Sequence, residues 1–271
     1  MQNCTLIDII TLINKIQKVP VIDLTDLINK ITPLVTDCGK VILNADRERM
    51  AIDIKSGVAD LVTEYDKKIQ AQLEIGLKEI LPEAKFIGEE GSHDELSDDG
   101  YAFIVDPIDG TTNFVKDYHH SAISVALLKG KEAVAGIVYN PYLDEMFSAI
   151  KGQGAFLNGQ KISVSAQPLD KALVLFGSAP YNKELFPKAI EILTDYFYKA
   201  LDIRRSGSAA LDLCSVACGR AELYFELIVS PWDFAAGKLI VEEAGGVVTT
   251  IDSEPLSFEG KTSILAKNNV I

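Results

Sequence analysis

The chain alternates between two hydrophobic patterns, a helical period and short apolar runs. Between residues 22 and 45, apolar side chains recur at Leu24, Leu27, Ile28, Ile31, Leu34 and Val35, the three-and-four spacing of an amphipathic helix. A second helix is predicted from Tyr65 to Ile80. Thr63 and Asp66, three residues apart, open it as a capping box, and Asp66 reads as a cap residue only. The pattern then changes. "KFIGEEGS" and "YAFIVDPIDG" are short apolar runs that end in acids and glycine, so each is predicted to be a buried strand with carboxylates at its C-terminal end. "SAISVALL", "EAVAGIVYN" and "DEMFSAI" follow as further strands. The segments "NPYLD" and "KGQGAFLNGQ" between and after them are turn-rich, which points to an antiparallel meander.

The second half has a different texture. "LVLFGS" reads as a strand and residues 182–200 as a helix. "SGSAALDLCSVACG" is a helix of small residues with serine at its start and Gly219 at its stop. "AELYFEL" is a strand, "SPWDFAAGKLIVEEAGG" a helix opened by Ser-Pro and closed by Gly-Gly, and "GVVTTI" and "TSILAK" are closing strands. Helices and strands in separated groups predict a layered α+β sandwich rather than a simple doubly wound sheet.

No repeat, low-complexity segment or linker interrupts the 271 residues. They are expected to form one unit, 1–271, with an N-terminal half (1–150) and a C-terminal half (151–271). The opening "MQNCTLIDIITLINKIQKVP" reads as an amphipathic helix, without the basic region and small-residue cleavage site of a secretory leader. No apolar run approaches the ~18–20 residues that span a bilayer. The expectation is a cytoplasmic protein with no membrane partner.

The net charge of −13 argues against nucleic acid and anionic membranes as partners, because phosphate backbones call for Lys and Arg. A small phosphate ester can still bind where metal ions invert the local charge. The cysteines are Cys4, Cys38, Cys214 and Cys218, with no CxxC pair. They read as buried reduced thiols. His119 and His120 are adjacent, so their side chains diverge if the segment is extended, and a surface or structural role is expected of both.

Five acids fall at element ends on separate segments: Asp60, Glu89, Asp106, Asp109 and Asp233. Hard divalent cations take oxygen ligands, so converging carboxylates point to a metal cluster. In "DPIDGTT" the proline stiffens the backbone between two acids, and the Ile108 carbonyl is available as a further ligand. The Gly110 and Thr111 N–H groups can form an anion nest. Metal ligands fused to such a nest suggest metal-assisted phosphoryl chemistry.

The blocks "GEE" (88–90), "DPIDGTTNF" (106–114) and "WDFAAGKLIVEEAGG" (232–246) resemble the signatures of the inositol monophosphatase family, within the lithium-sensitive, Mg-dependent phosphatase superfamily. "DLVTEYD" (60–66), "GQGAFLNG" (152–159) and "RRSGSAALDL" (204–213) are similar to lesser blocks, and the resemblance covers roughly residues 25 to 268. It implies a layered α-β-α-β-α sandwich of the inositol monophosphatase / fructose-1,6-bisphosphatase type, usually a homodimer. It also implies Mg²⁺-dependent hydrolysis of a phosphate monoester, often inhibited by Li⁺, with two to three ions. Glu89, Asp106 and the Ile108 carbonyl would hold the first ion; Asp106, Asp109 and Asp233 the second; Glu89 would help place a third. Asp60 and Thr111 would activate the attacking water. Gly110 and Thr111 would cradle the phosphate. Glu226, Ala209 and, less directly, Ser178 would face a phosphorylated polyol or sugar.

The most favoured substrate is inositol 1-phosphate. Alternatives are 3′(2′),5′-bisphosphate nucleotidase or fructose-1,6-bisphosphatase activity and, in another class, a metal-binding regulatory protein acting by protein contacts. Two features depart from the family pattern: the N-terminal extension, and the close of the chain soon after "ILAKN", where the family commonly has a final helix.

Overall fold

The computed structural model describes residues 22–54, 61–91, 94–178 and 180–271. The expected N-terminal helix, Cys4 and Asp60 lie outside the described residues.

The first helix spans Leu24–Leu43. The Asp23 side chain caps it by accepting from the Thr25 and Asp26 N–H groups, donors that lack partners in the first turn. Its stripe of Leu27, Ile31, Val35, Cys38 and Ile42 is buried. Pro33 lies inside this helix but on its exposed side, where water can take up the freed backbone group. The second helix, Glu64–Ile80, carries Ile69, Leu73 and Leu77 inward. Both helices cover one face of the large sheet.

That sheet has seven strands: β3 (Lys85–Gly88), β4 (Tyr101–Asp109), β5 (Ala122–Lys129), β6 (Glu132–Asn140), β7 (Glu145–Ile150), β8 (Gly154–Leu157) and β9 (Gln160–Ile162), in that spatial order. The β3–β4 pair is parallel and the rest are antiparallel. A separate hairpin pairs β1 (Ile52–Ile54) with β2 (Leu61–Thr63). The meander is longer than the sequence suggested. "KGQGAFLNGQ" is not only turns: Asn158 and Gly159, at φ 50° and 76°, form the tight turn between β8 and β9. Asn-Gly suits two successive positive φ values.

The smaller sheet has the order β11-β10-β12-β14-β13, built from β10 (Leu173–Phe176), β11 (Asp202–Arg204), β12 (Leu223–Val229), β13 (Val247–Thr249) and β14 (Thr262–Lys267). The sequence pattern missed β1, β2 and β11, three residues each, which are too short to show a pattern. Between the sheets lie the helices Ala209–Ala217 and Pro231–Glu243. Phe186–Lys199 covers the outer face of the small sheet through Leu193, against Val174, Leu223 and Phe225. The layers therefore run α-β-α-β-α, as the resemblance implied.

Both sheets are buried on two faces. Along β4, Tyr101, Phe103 and Val105 face the first helix pair, while Ala102 and Ile104 face the middle layer. The middle layer is thin because its helices are small-residued. A Cβ on Gly136 of β6 would lie 3.1 Å from the Ala236 Cα, and one on Gly237 would lie 2.6 Å from Leu213 Cδ1. Apolar residues on all sides of Pro231–Glu243 fit a helix enclosed by protein. Cys38 and Cys214 are buried and Cys218 half-buried; all three are free thiols.

Candidate active site

Strand alternation would send Asp106 and Asp109 to opposite faces, since they are three residues apart. A β-bulge prevents this. Asp106 pairs with Ser124 and Asp109 with Ala122, so two residues of β4 oppose one of β5. Pro107 has no N–H to give to the ladder, and the Ile108 N–H turns back to Asp106 Oδ1 at 3.0 Å. Ile108 thereby joins the outer core with Val105, and both carboxylates face the middle layer. The buried strand that the sequence predicts here is present, Tyr101–Asp109, and its acid-bearing end is bulged.

Two helix starts meet the acids there. Ser208 caps Ala209–Ala217; its hydroxyl donates to Asp109 Oδ2, which also accepts the Ala210 N–H at 2.7 Å. Asp233 stands third in Pro231–Glu243, and its Oδ2 accepts the Ser230 N–H at 2.7 Å in a capping box. Ligand oxygens of Asp106, Asp109 and Asp233 lie within 4.8 Å of one another. Helix N-termini carry partial positive charge and favour carboxylates.

Burial still raises all three pKa values. Asp106 rises well above the usual range through burial, then through Glu89, Asp109 and Asp233. Asp109 is pushed up to about 7 by burial, although its bonds to Ser208 and Ala210 pull the other way. Asp233 rises through burial, then through Asp109 and Glu89. A site that makes three neighbouring carboxylates hard to ionise is matched to a cation, and an all-oxygen donor set suits a hard divalent ion.

A cavity of about 380 Å³ opens above this cluster. Glu89, Ile108, Gly110, Thr111, Ala209 and Glu226 all line it. Glu89 follows β3 and sits beside Asp106, outside the 4.8 Å triad. Glu226 points from β12 into the middle layer and accepts the Tyr224 hydroxyl at 2.7 Å. Gly177 rather than Ser178 lines the wall; a Cβ at Gly177 would overlap the Glu226 carboxylate. Gly110 has φ 89°, and a Cβ there would lie 3.1 Å from two carbonyl oxygens, so the site needs glycine twice over. His119 stacks on Tyr142 and, like His120, stays off the cavity.

One residue has more contacts than the sequence suggested. Asp66 is fully buried, and its carboxylate both completes the Thr63 capping box and lies 3.3 Å from Thr111 Oγ1 through Oδ1. It is therefore not a cap alone. Burial pushes it up to about 6 against its bonds to Thr63. Three other participants also escaped the sequence reading. Asn113 donates to the His120 carbonyl nearby and to the Ser206 carbonyl, which ties the Thr111–Val115 helix to the C-terminal half. Arg47 donates to the Phe114 carbonyl at 3.1 Å. Asp212, buried near Asp109, lines the cavity. Only the asparagine gave a signal, its place in "GTTNF".

The model of the inositol monophosphatase family matches residues 23–270. Inositol monophosphatase 2 of Solanum lycopersicum is 44% identical over 218 residues, covering 78% of this chain and 82% of the relative. Nus factor SuhB of Vibrio cholerae is 41% identical over 221 residues, covering 80% and 79%. The solved structure of the Staphylococcus aureus inositol monophosphatase II with inositol monophosphate bound has a TM-score of 0.77 at 30% identity, covering 91% of this chain and 90% of that one. The chain belongs to the inositol monophosphatase family. Among the described residues, no helix is long and apolar enough to cross a membrane.

Proposed function

We propose that this chain is a Mg²⁺-dependent phosphomonoesterase that releases phosphate from a small phosphorylated polyol, inositol 1-phosphate foremost. The observation that carries the reading is the convergence of Asp106, Asp109 and Asp233 at the floor of a cavity. These three would hold one ion; Glu89, Asp106 and the Ile108 carbonyl would hold another, with a third beside Glu89. Bound Mg²⁺ would supply a hydroxide nucleophile near neutral pH and stabilise the leaving oxygen.

The chain's own groups position the reactants. Thr111 Oγ1 has one proton and two acceptors in reach, Asp66 Oδ1 at 3.3 Å and the Ile108 carbonyl at 3.2 Å. Once that proton is committed, a lone pair is left to accept from the attacking water. Asp60 is its proposed partner in activating that water. The Gly110 and Thr111 N–H groups would hold the phosphate, and Glu226 beside Ala209 would accept hydroxyls of a polyol substrate. The family resemblance extends the reading to a cytoplasmic homodimer.

Two observations favour other readings. Arg205 and Lys261 line the cavity and offer cations to a second phosphate, as a bisphosphate nucleotidase or fructose-1,6-bisphosphatase requires. The likeness to a Nus factor favours a protein that works by contact with partners. One experiment separates all three: phosphate release from inositol 1-phosphate, glycerol 2-phosphate, fructose 1,6-bisphosphate and adenosine 3′,5′-bisphosphate, with Mg²⁺ or EDTA and a Li⁺ titration. The expected result is Mg²⁺-dependent turnover, fastest on inositol 1-phosphate. Absence of turnover on every ester would overturn the enzyme reading.

A further inference from the structure

A second cavity, of about 400 Å³, adjoins the acidic one. Ser230, Trp232 and Lys261 line both. The chemistry changes across that ridge. Beyond it the walls are Ile87, Leu96, Pro231, Trp232 and Phe258. Three acids stand at its margin: Asp94 accepts the Phe86 N–H at 3.0 Å, Glu259 pairs with Lys131 at 2.9 Å, and Glu95 is exposed to solvent. The apolar wall is also held in place. Phe258 stacks on Phe234 with ring centroids 5.6 Å apart, and the Trp232 carbonyl accepts from Ser124 Oγ at 3.3 Å. A preformed apolar cavity of this size is what small-ligand sites provide.

We propose that this groove is a subsite for an apolar substituent on the leaving alcohol, so that the chain accepts aryl-alkyl phosphate monoesters with the phosphate over the acids and the ring beyond Trp232. The inference rests on the phosphomonoesterase reading. In that reading we assign the leaving oxygen to the ion that Asp106, Asp109 and Asp233 would hold, and the ridge of Ser230, Trp232 and Lys261 shared by both cavities gives an alcohol at that end a direct way into the groove. A polyol would leave the groove unfilled; a phenyl group would bury its surface there.

The test compares 2-phenylethyl phosphate with ethyl phosphate, whose leaving alcohols are similar in acidity. The expected result is a kcat/KM at least about tenfold higher for the phenylethyl ester, the scale of burying an aromatic ring. Leu96→Asn, at the partly buried groove wall, should remove most of that preference and leave ethyl phosphate turnover unchanged. Trp232 is the only tryptophan in the chain, so its emission reports groove occupancy without turnover or mutation. With Mg²⁺ present, 2-phenylethylphosphonate should shift the emission and ethylphosphonate should not. Equal kcat/KM for the two esters, or equal emission responses to the two phosphonates, would overturn the subsite while leaving the phosphatase reading intact. If neither ester is hydrolysed and neither phosphonate binds while inositol 1-phosphate is still turned over, the subsite fails alone; if inositol 1-phosphate is not hydrolysed either, the phosphatase reading fails and the subsite fails with it.

Discussion

Asp109→Asn separates function from stability at the acid cluster. Asp109 shares its site with Asp106 and Asp233, with ligand oxygens within 4.8 Å. Two unit charges at that distance repel by about 3 kcal/mol at an effective dielectric near 20. Asp109 is pushed up to about 7 by burial, so near neutral pH part of the repulsion is already relieved by protonation. The net relief from Asn is on the order of 1–3 kcal/mol, or roughly 2–10 °C in Tm for a chain of this size. Ser208 and Ala210 both donate to Oδ2, so Asn with its carbonyl oxygen in that place can still accept both bonds. In EDTA at pH 7.5, the variant should therefore melt at or above the wild-type temperature. Adding Mg²⁺ should raise the wild-type Tm and leave the variant nearly unmoved, and its phosphate release should vanish. The measurements are thermal melts with and without Mg²⁺ and a phosphate-release assay. A variant that melts several degrees lower in EDTA, or that keeps wild-type turnover, would refute the reasoning.

Three further outcomes are expected. Thr111→Ala should lower kcat by about a hundredfold or more, the scale of losing a group that assists proton transfer, with a smaller change in KM; steady-state kinetics showing a change mainly in KM would contradict the water-positioning role. Asp66 is raised from 3.8 to about 6, so the wild-type fold loses stability as pH climbs between those values, by about 3 kcal/mol at most. Asp66→Asn should lack that loss, and urea melts in EDTA should show its stability relative to wild type rising from pH 4 to pH 7; a pH-independent difference would remove the argument. Gly237→Ala places a Cβ 2.6 Å from Leu213 Cδ1 and 2.7 Å from its Cβ, so overpacking between the two middle helices should cost about 1–3 kcal/mol in chemical denaturation.

The sequence by itself determined the elements and the chemistry they carry. A period of 3.6 marks the first two helices, which present one apolar face to a layer, and unbroken apolar runs mark the central strands, which are covered on both faces. The oxygen-ligand chemistry is legible for a similar reason: "DPIDGTTNF", "GEE" and "WDFAAG" place acids beside glycine and proline at element ends, where carboxylates stay reachable by a cation. Strands β1, β2 and β11 and the β8–β9 hairpin show too few residues for a period, and only their partners define them.

Tertiary structure alone decided which acids meet. Alternation would put Asp106 and Asp109 on opposite faces, and the Pro107 bulge against β5 turns both to one side. Asp233 reaches them because its helix lies between two sheets, and Asp66 reaches Thr111 across 45 residues. Capping is a local interaction, so the sequence displays the Asp66 box with Thr63. The bond to Thr111 is long-range, and it exists only once the helix behind the large sheet has docked.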